Sequence, residues 1–202
     1  MAIRIKDKWH HSRRNRPTRK SLEDSAGALA FIGWRLALDR AQGLNREGFR
    51  FDSDIERVGV INEIVAFEVQ VADRIAYEFL ADDDRRAFVN ALGRRFADHV
   101  QDNLSDLDGA GLEGPRNYRD AFIAMLNGRQ DDYAGLSFEN GEPGFDFLRY
   151  LGSRVLGVMG EDQTNRWVLD QIVAVEAPEI AEKIANSVLN LLSRPDDGST
   201  HR

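Results

Sequence analysis

The chain contains no cysteine, which removes disulfides, Cys-ligated zinc, iron–sulfur clusters and thiol catalysis together. Histidine is scarce as well, at positions 10, 11, 99 and 201, and no Glu-x-x-His pattern occurs. A ferritin-like di-iron site needs paired carboxylates and that pattern twice over, so no such site is expected. No apolar run approaches the roughly eighteen residues of a membrane-spanning helix. The basic start has no apolar stretch behind it, since charged and polar residues continue to Asp24, and a secretory signal is not expected. Proline is rare, with five in 202 residues, and strand-like alternation and internal repeats are missing. What remains is apolar residues at three-to-four spacing over long stretches, the mark of amphipathic helix.

That spacing predicts an all-α fold, a single-domain bundle of about six helices. Helix 1 is expected from about Ser25 to Gln42, with Gly43 as its stop. Asp54 or a neighbour caps helix 2, about Ile55 to Leu80, whose stripe Ile61, Ile64, Val65, Ala72, Ile75 and Phe79 is widened by Val60, Phe67, Val69 and Val71. A helix apolar over so much of its circumference belongs at the centre. Asp82-Asp83-Asp84 caps helix 3, about Asp84 to Asp106, on which Phe88, Leu92, Phe96, His99, Asn103 and Leu107 share one line. Helix 4 covers about Asn117 to Leu136. After a loop containing Asn140, Gly141, Pro143 and Gly144, helix 5 covers about Phe145 to Met159. A last helix, about Asn165 to Leu192, carries Pro178 and is expected to kink or break at Ala177.

Charge is distributed unevenly. Of 27 Lys/Arg and 34 Asp/Glu, the first twenty residues hold eight and one, about +7; the other 182 hold nineteen and thirty-three, a formal −14. The chain therefore reads as a basic arm (1–22), a helical domain (23–193) and a polar tail (194–202). Arg4, Lys6, Lys8, Arg13, Arg14, Arg16, Arg19 and Lys20, with Trp9 among them, are the candidate partner-binding residues. Such an arm suits an anionic surface. An acidic protein partner, including another copy of this chain, comes first. Nucleic acid is the rival kind of partner, because cations neutralise phosphates while Trp9, His10 and His11 stack on bases. An anionic membrane surface and a solvated tail without a dedicated partner complete the readings.

Motifs for catalysis are weak. Gly109-Ala110-Gly111-Leu112-Glu113-Gly114 matches G-x-G-x-x-G, but a helix precedes it and Pro115 follows, where dinucleotide binding needs a strand before and a helix after. It reads as an interhelical turn. Asp82-Asp83-Asp84 lacks the loop spacing of calcium sites. Three polar residues fall on apolar stripes: Glu68, His99 and Asn103. They are either a pocket with a general base or a core network satisfied by one another or by Arg74 or Arg95, and the network is the expected outcome. No catalytic residue, metal or cofactor is assigned.

From Phe96 to Leu136 the chain resembles the ubiquinol–cytochrome c chaperone family. That family has a helix ending in a Leu-Arg-Glu-Met-Gly-Val-Gly-Asp-like turn, then a helix with a Tyr-Gly-Arg…Tyr…Ala-Leu pattern. The counterparts here are Leu104-Ser105-Asp106-Leu107, the glycine turn, Arg116 and Arg119, then Gly128-Arg129, Tyr133 and Leu136. Alignment needs a one-residue gap, and Ser105-Asp106 and Asn127 replace the Arg-Glu pair and the first tyrosine. The resemblance implies an all-helical, non-enzymatic assembly factor for a respiratory complex. The expected function is thus a protein-binding or assembly module, chaperone-like, with a nucleic-acid-associated protein or an enzyme built around Glu68 and His99 as alternatives. The expected location is cytoplasmic, with peripheral contact at the inner membrane open.

Overall fold

A computed structural model describes residues 22–108, 117–160 and 165–192. Seven α-helices and a two-residue hairpin follow in order: α1 (Leu22–Arg46), α2 (Asp54–Tyr77), α3 (Asp82–Asp108), α4 (Tyr118–Ala134), β1 (Phe138–Glu139), β2 (Glu142–Pro143), α5 (Phe145–Met159), α6 (Val168–Gln171) and α7 (Ala177–Leu192). A π turn, Ile172–Glu176, joins α6 to α7. The all-α bundle is as the periodicity predicts.

The centre is α2. Every residue from 63 to 72 is buried, and the helix packs against α1, α3, α4, α5 and α7. Each Val, Ile or Phe sealed in this way contributes about 1.5–3 kcal/mol. At its far side Phe67 meets an aromatic cluster from three further elements. Phe147 of α5 lies with its ring centroid 4.5 Å from Tyr133 of α4, 5.4 Å from Phe138 of β1 and 5.6 Å from Phe67.

Helix ends differ from expectation where local hydrogen bonding outweighs the residue-type rule. Gly43 does not stop α1, which continues to Arg46. The stop is Gly48, at φ +95°, with its N–H donating to the Asn45 carbonyl and the Phe49 N–H to that of Leu44. This pair of bonds satisfies the last carbonyls, and Phe49 and Leu44 are both buried beneath it. The N-cap of α2 is as expected, at the neighbour of Asp54: the Ser53 hydroxyl accepts from the Glu56 N–H. Asp82, Asp83 and Asp84 form the first turn of α3 itself, placing negative charge on the positive end of the helix dipole.

The loop after α4 is a hairpin. Asn140 and Gly141 take φ of 54° and 80°, the backbone of a tight hairpin turn, and Phe138 pairs with Pro143 and Glu139 with Glu142. The Asn-Gly pair was the available signal for it. Pro178 produces no break: the helix widens into the π turn, where the Ala177 N–H reaches back five residues to Ile172, and Pro178 falls in the first turn of α7. Gly152 permits close approach, since a Cβ there would sit 3.1 Å from the Leu169 carbonyl oxygen, whereas Gly157 faces open space.

Candidate functional site

Glu68 points from α2 into the seam with α1 and α3. It is 1% exposed, and neither carboxylate oxygen has a hydrogen-bond partner among the described residues. Room for it exists because α1 has no side chain at Gly33. A Cβ at that position would lie 2.4 Å from Glu68 Oε2 and 2.8 Å from Phe96 Cζ. Burial pushes the Glu68 carboxyl well above the usual carboxylate range, favouring the neutral acid. Beside Gly33, the Trp34 indole N–H is also buried, with no partner among the described residues.

The expected network among Glu68, His99 and Asn103 is not formed. The His99 ring stacks on Trp34, with centroids 5.5 Å apart and planes 17° from parallel. Asn103 Nδ2 donates to the carbonyl of His99, 2.8 Å away on the same helix. Both residues are only half-buried. Arg74, a proposed partner, instead donates to the carbonyls of Tyr133 and Ala134 at the end of α4, and Arg95 is exposed. Helical spacing puts a residue on a face without setting its height against the neighbouring helix. Phe96 occupies the level of Gly33 and Glu68, and Trp34 covers the histidine one turn further on.

A second polar cluster was missed from the sequence. Glu63, also on α2 and 4% exposed, accepts two hydrogen bonds from Arg129 of α4, at 2.6 and 2.7 Å. Arg154 Nε approaches the same carboxylate at 3.6 Å, and Arg129 lies 3.7 Å from Asp132, which accepts from the Tyr150 hydroxyl. The bidentate bond to Glu63 raises the Arg129 pKa further, so this charge is fixed. Burial and the bond to Asp132 push the Tyr150 phenol up to about 12. The available signal was a second acid in the same apolar run, five residues before Glu68.

A third cluster joins α1 to α7. Arg40 Nη1 lies 3.0 Å from Glu176 and 2.8 Å from Glu179. It borders an open cleft of about 280 Å³ whose lining also includes Asp39, Gly43, Arg46 and Glu47. Its charges are largely spent on one another, and among the described residues no group of three or more His, Asp or Glu could hold a metal ion.

The end of the bundle where α2 stops and α3 and α5 begin is different. Tyr77, Phe79 and Phe145 are exposed there by 65%, 55% and 68%. Phe79, expected on the buried stripe, lies beyond the last turn of α2 and faces outward. Glu78, Asp82, Asp83, Asp84, Glu139 and Glu142, on the segments that carry or adjoin these rings, are exposed too, and the Arg85 guanidinium lies over the Tyr77 ring, 5.2 Å from its centroid.

The arm residues Arg4, Lys6, Lys8, Trp9, Arg13, Arg14, Arg16, Arg19 and Lys20, and the glycine turn 109–114, lie outside the described residues. Among the described residues no helix is long and apolar enough to cross a membrane. Protein-family models, curated proteins and solved structures give no match to the chain.

Proposed function

We propose that this chain is a non-catalytic helical protein-binding or assembly module whose basic arm docks on an acidic partner. The observation that carries the reading is the charge division, about +7 over the first twenty residues against −14 over the rest. Opposite charges concentrated on two segments steer encounter and fix orientation. The bundle supports this reading by what it does with its polar groups. Glu63 with Arg129, and Arg40 with Glu176, are consumed in ties between helices. Glu68, the acid best placed by sequence to act as a base, has both oxygens sealed from solvent. The likeness to the ubiquinol–cytochrome c chaperones points toward the same class of work.

The test is capture from extract of the native host with the full chain and with a full chain carrying Arg13→Glu, Arg14→Glu and Arg16→Glu. Acidic proteins held by the first, lost from the second and released by salt support the reading. Capture of DNA or RNA through the arm would replace it with the nucleic-acid alternative, in which cations meet phosphates. The acidic body works against that outcome, because its field repels a polyanion. Identical captures by both chains would make the arm irrelevant.

A further inference from the structure

We infer that the acidic, aromatic-bearing end of the bundle is the docking face for the basic arm of a second copy of this chain. The inference rests on the proposed role of the arm and names its partner.

Three observations point there. The first is the exposure of Tyr77, Phe79 and Phe145 at one end of the bundle, each more than half open to solvent. Phe79 and Phe145 make no ring contact among the described residues, whereas the Tyr77 ring carries the Arg85 guanidinium 5.2 Å from its centroid.

The second is a charge conflict. Glu139 and Glu142 stand directly opposite each other across the hairpin, and both are exposed. Like charges at that spacing destabilise a strand pair. Neither their carboxylates nor that of Glu78 has a hydrogen bond or ion pair among the described residues, and none of the three lies in the first turn of a helix, where an acid would be useful. Cationic side chains laid between them would remove the repulsion. The nearby Asp82 and Asp84 add to the field, while Asp83 is partly answered by Arg86.

The third is the position of the arm's root. A short connection, residues 47–53, makes α1 and α2 antiparallel, with Gly33 level with Glu68, so Leu22 lies at the same end as Tyr77. Two copies meeting acidic end to acidic end about a two-fold axis would each start their arm beside the partner's face. The contact is then reciprocal and closed. The eight cations of residues 1–20 meet carboxylates, and Trp9 has the rings of Phe79 and Phe145 to pack against. Two chains of net charge −7 repel at long range, but at physiological salt the Debye length is about 8 Å, and contacts made by the arm dominate within it.

Sedimentation velocity on the full chain tests this. A dimer is expected at about 50 mM salt and a monomer at about 500 mM. Two full-length variants decide the geometry: the arm variant Arg13→Glu, Arg14→Glu, Arg16→Glu, and the face variant Glu78→Lys, Glu139→Lys, Glu142→Lys. All six positions lie outside the core or outside the described residues, and unchanged helicity by circular dichroism checks the folding of each. Each variant alone should weaken association at least about tenfold, and an equimolar mixture should recover part of it, because the face variant's native arm can dock on the arm variant's native face. A chain monomeric at low salt, a dimer indifferent to the face variant, or a mixture that stays monomeric would each overturn the inference. A monomer that still captures acidic host proteins through its arm leaves the proposed function standing and removes only the second-copy partner.

Discussion

Glu68 allows a sharp test of the electrostatics inside the bundle. Its carboxyl favours the neutral form in the folded protein because burial strips its water and no donor or cation among the described residues replaces it. In the unfolded chain it titrates near the usual glutamate value of about 4.3. The folded pKa is therefore the higher one, and the unfolded chain releases this proton first as pH rises. The contribution of Glu68 to stability is greatest below about pH 4.3 and is lost progressively above it, until the folded pKa is reached. Within that window the loss is at most about 1.4 kcal/mol per pH unit for one proton. Glu68→Gln keeps the shape and removes the titration. Urea unfolding of both chains at several pH values between about 5 and 8 should show wild type losing ground to the variant as pH rises, while other carboxylates cancel in the difference. A second substitution separates polarity from charge: Glu68→Met removes two unsatisfied oxygens and should stabilise by about 1–3 kcal/mol near neutral pH, provided the thioether fits over Gly33. Parallel pH curves for wild type and Glu68→Gln would refute the reasoning, since they would mean that the carboxyl ionises normally and is paired or hydrated in the folded state.

Three further substitutions probe the same seams by thermal or urea unfolding. Gly33→Ala should cost about 1–3 kcal/mol, because the added methyl meets Glu68 Oε2 at 2.4 Å and Phe96 Cζ at 2.8 Å; a neutral result would mean that α1 can slide. Arg129→Met should cost roughly 2–4 kcal/mol, less than a fully isolated buried charge would, because Arg154 remains 3.6 Å from the stranded Glu63; adding Glu63→Met should recover most of the loss, and strict additivity would deny the coupling. Asn165→Ala removes bonds to the Arg50 N–H and to the carbonyls of Arg50 and Met159, and a cost of about 1–3 kcal/mol is expected; no change would show that this tie between the α1–α2 and α5–α6 connections is dispensable.

The architecture was readable because a six-helix pattern is a local property repeated many times. The burial of α2 on all sides follows from Val60, Phe67, Val69 and Val71 widening its stripe, and α5 begins at Phe145 and ends at Met159 as its apolar spacing indicates. Where reading by residue type failed, a competing hydrogen bond decided the outcome. Gly43 is a permissible stop, but the chain needs its reversal where Phe49 can bury, five residues later. Pro178 is a helix breaker only if the helix must stay α there, and one wide turn relieves both the missing donor and the ring clash. The hairpin was in plain view as Asn140-Gly141, too short to produce the alternation by which strands are recognised.

The polar sites were less legible, for a physical reason that Glu63 and Glu68 make plain. Both are acids on the most apolar helix, and both are buried, yet one is bound twice by an arginine and the other by no described residue. Periodicity ranks them alike because it measures direction around one helix. Their difference arises from what another helix presents at the same height: Arg129 of α4 for Glu63, and the bare backbone of Gly33 on α1 for Glu68. A glycine in mid-helix costs about 1 kcal/mol of intrinsic stability, so its place at that level needs a packing cause, and the carboxyl above it is the cause. The same gap that admits Glu68 denies it a partner, since a glycine offers no side chain to pair with and its own N–H is committed to the helix. A buried acid opposite a small residue is accordingly a different object from a buried acid opposite an arginine: the first is a titrating group held neutral by packing, the second a fixed charge that ties two helices together.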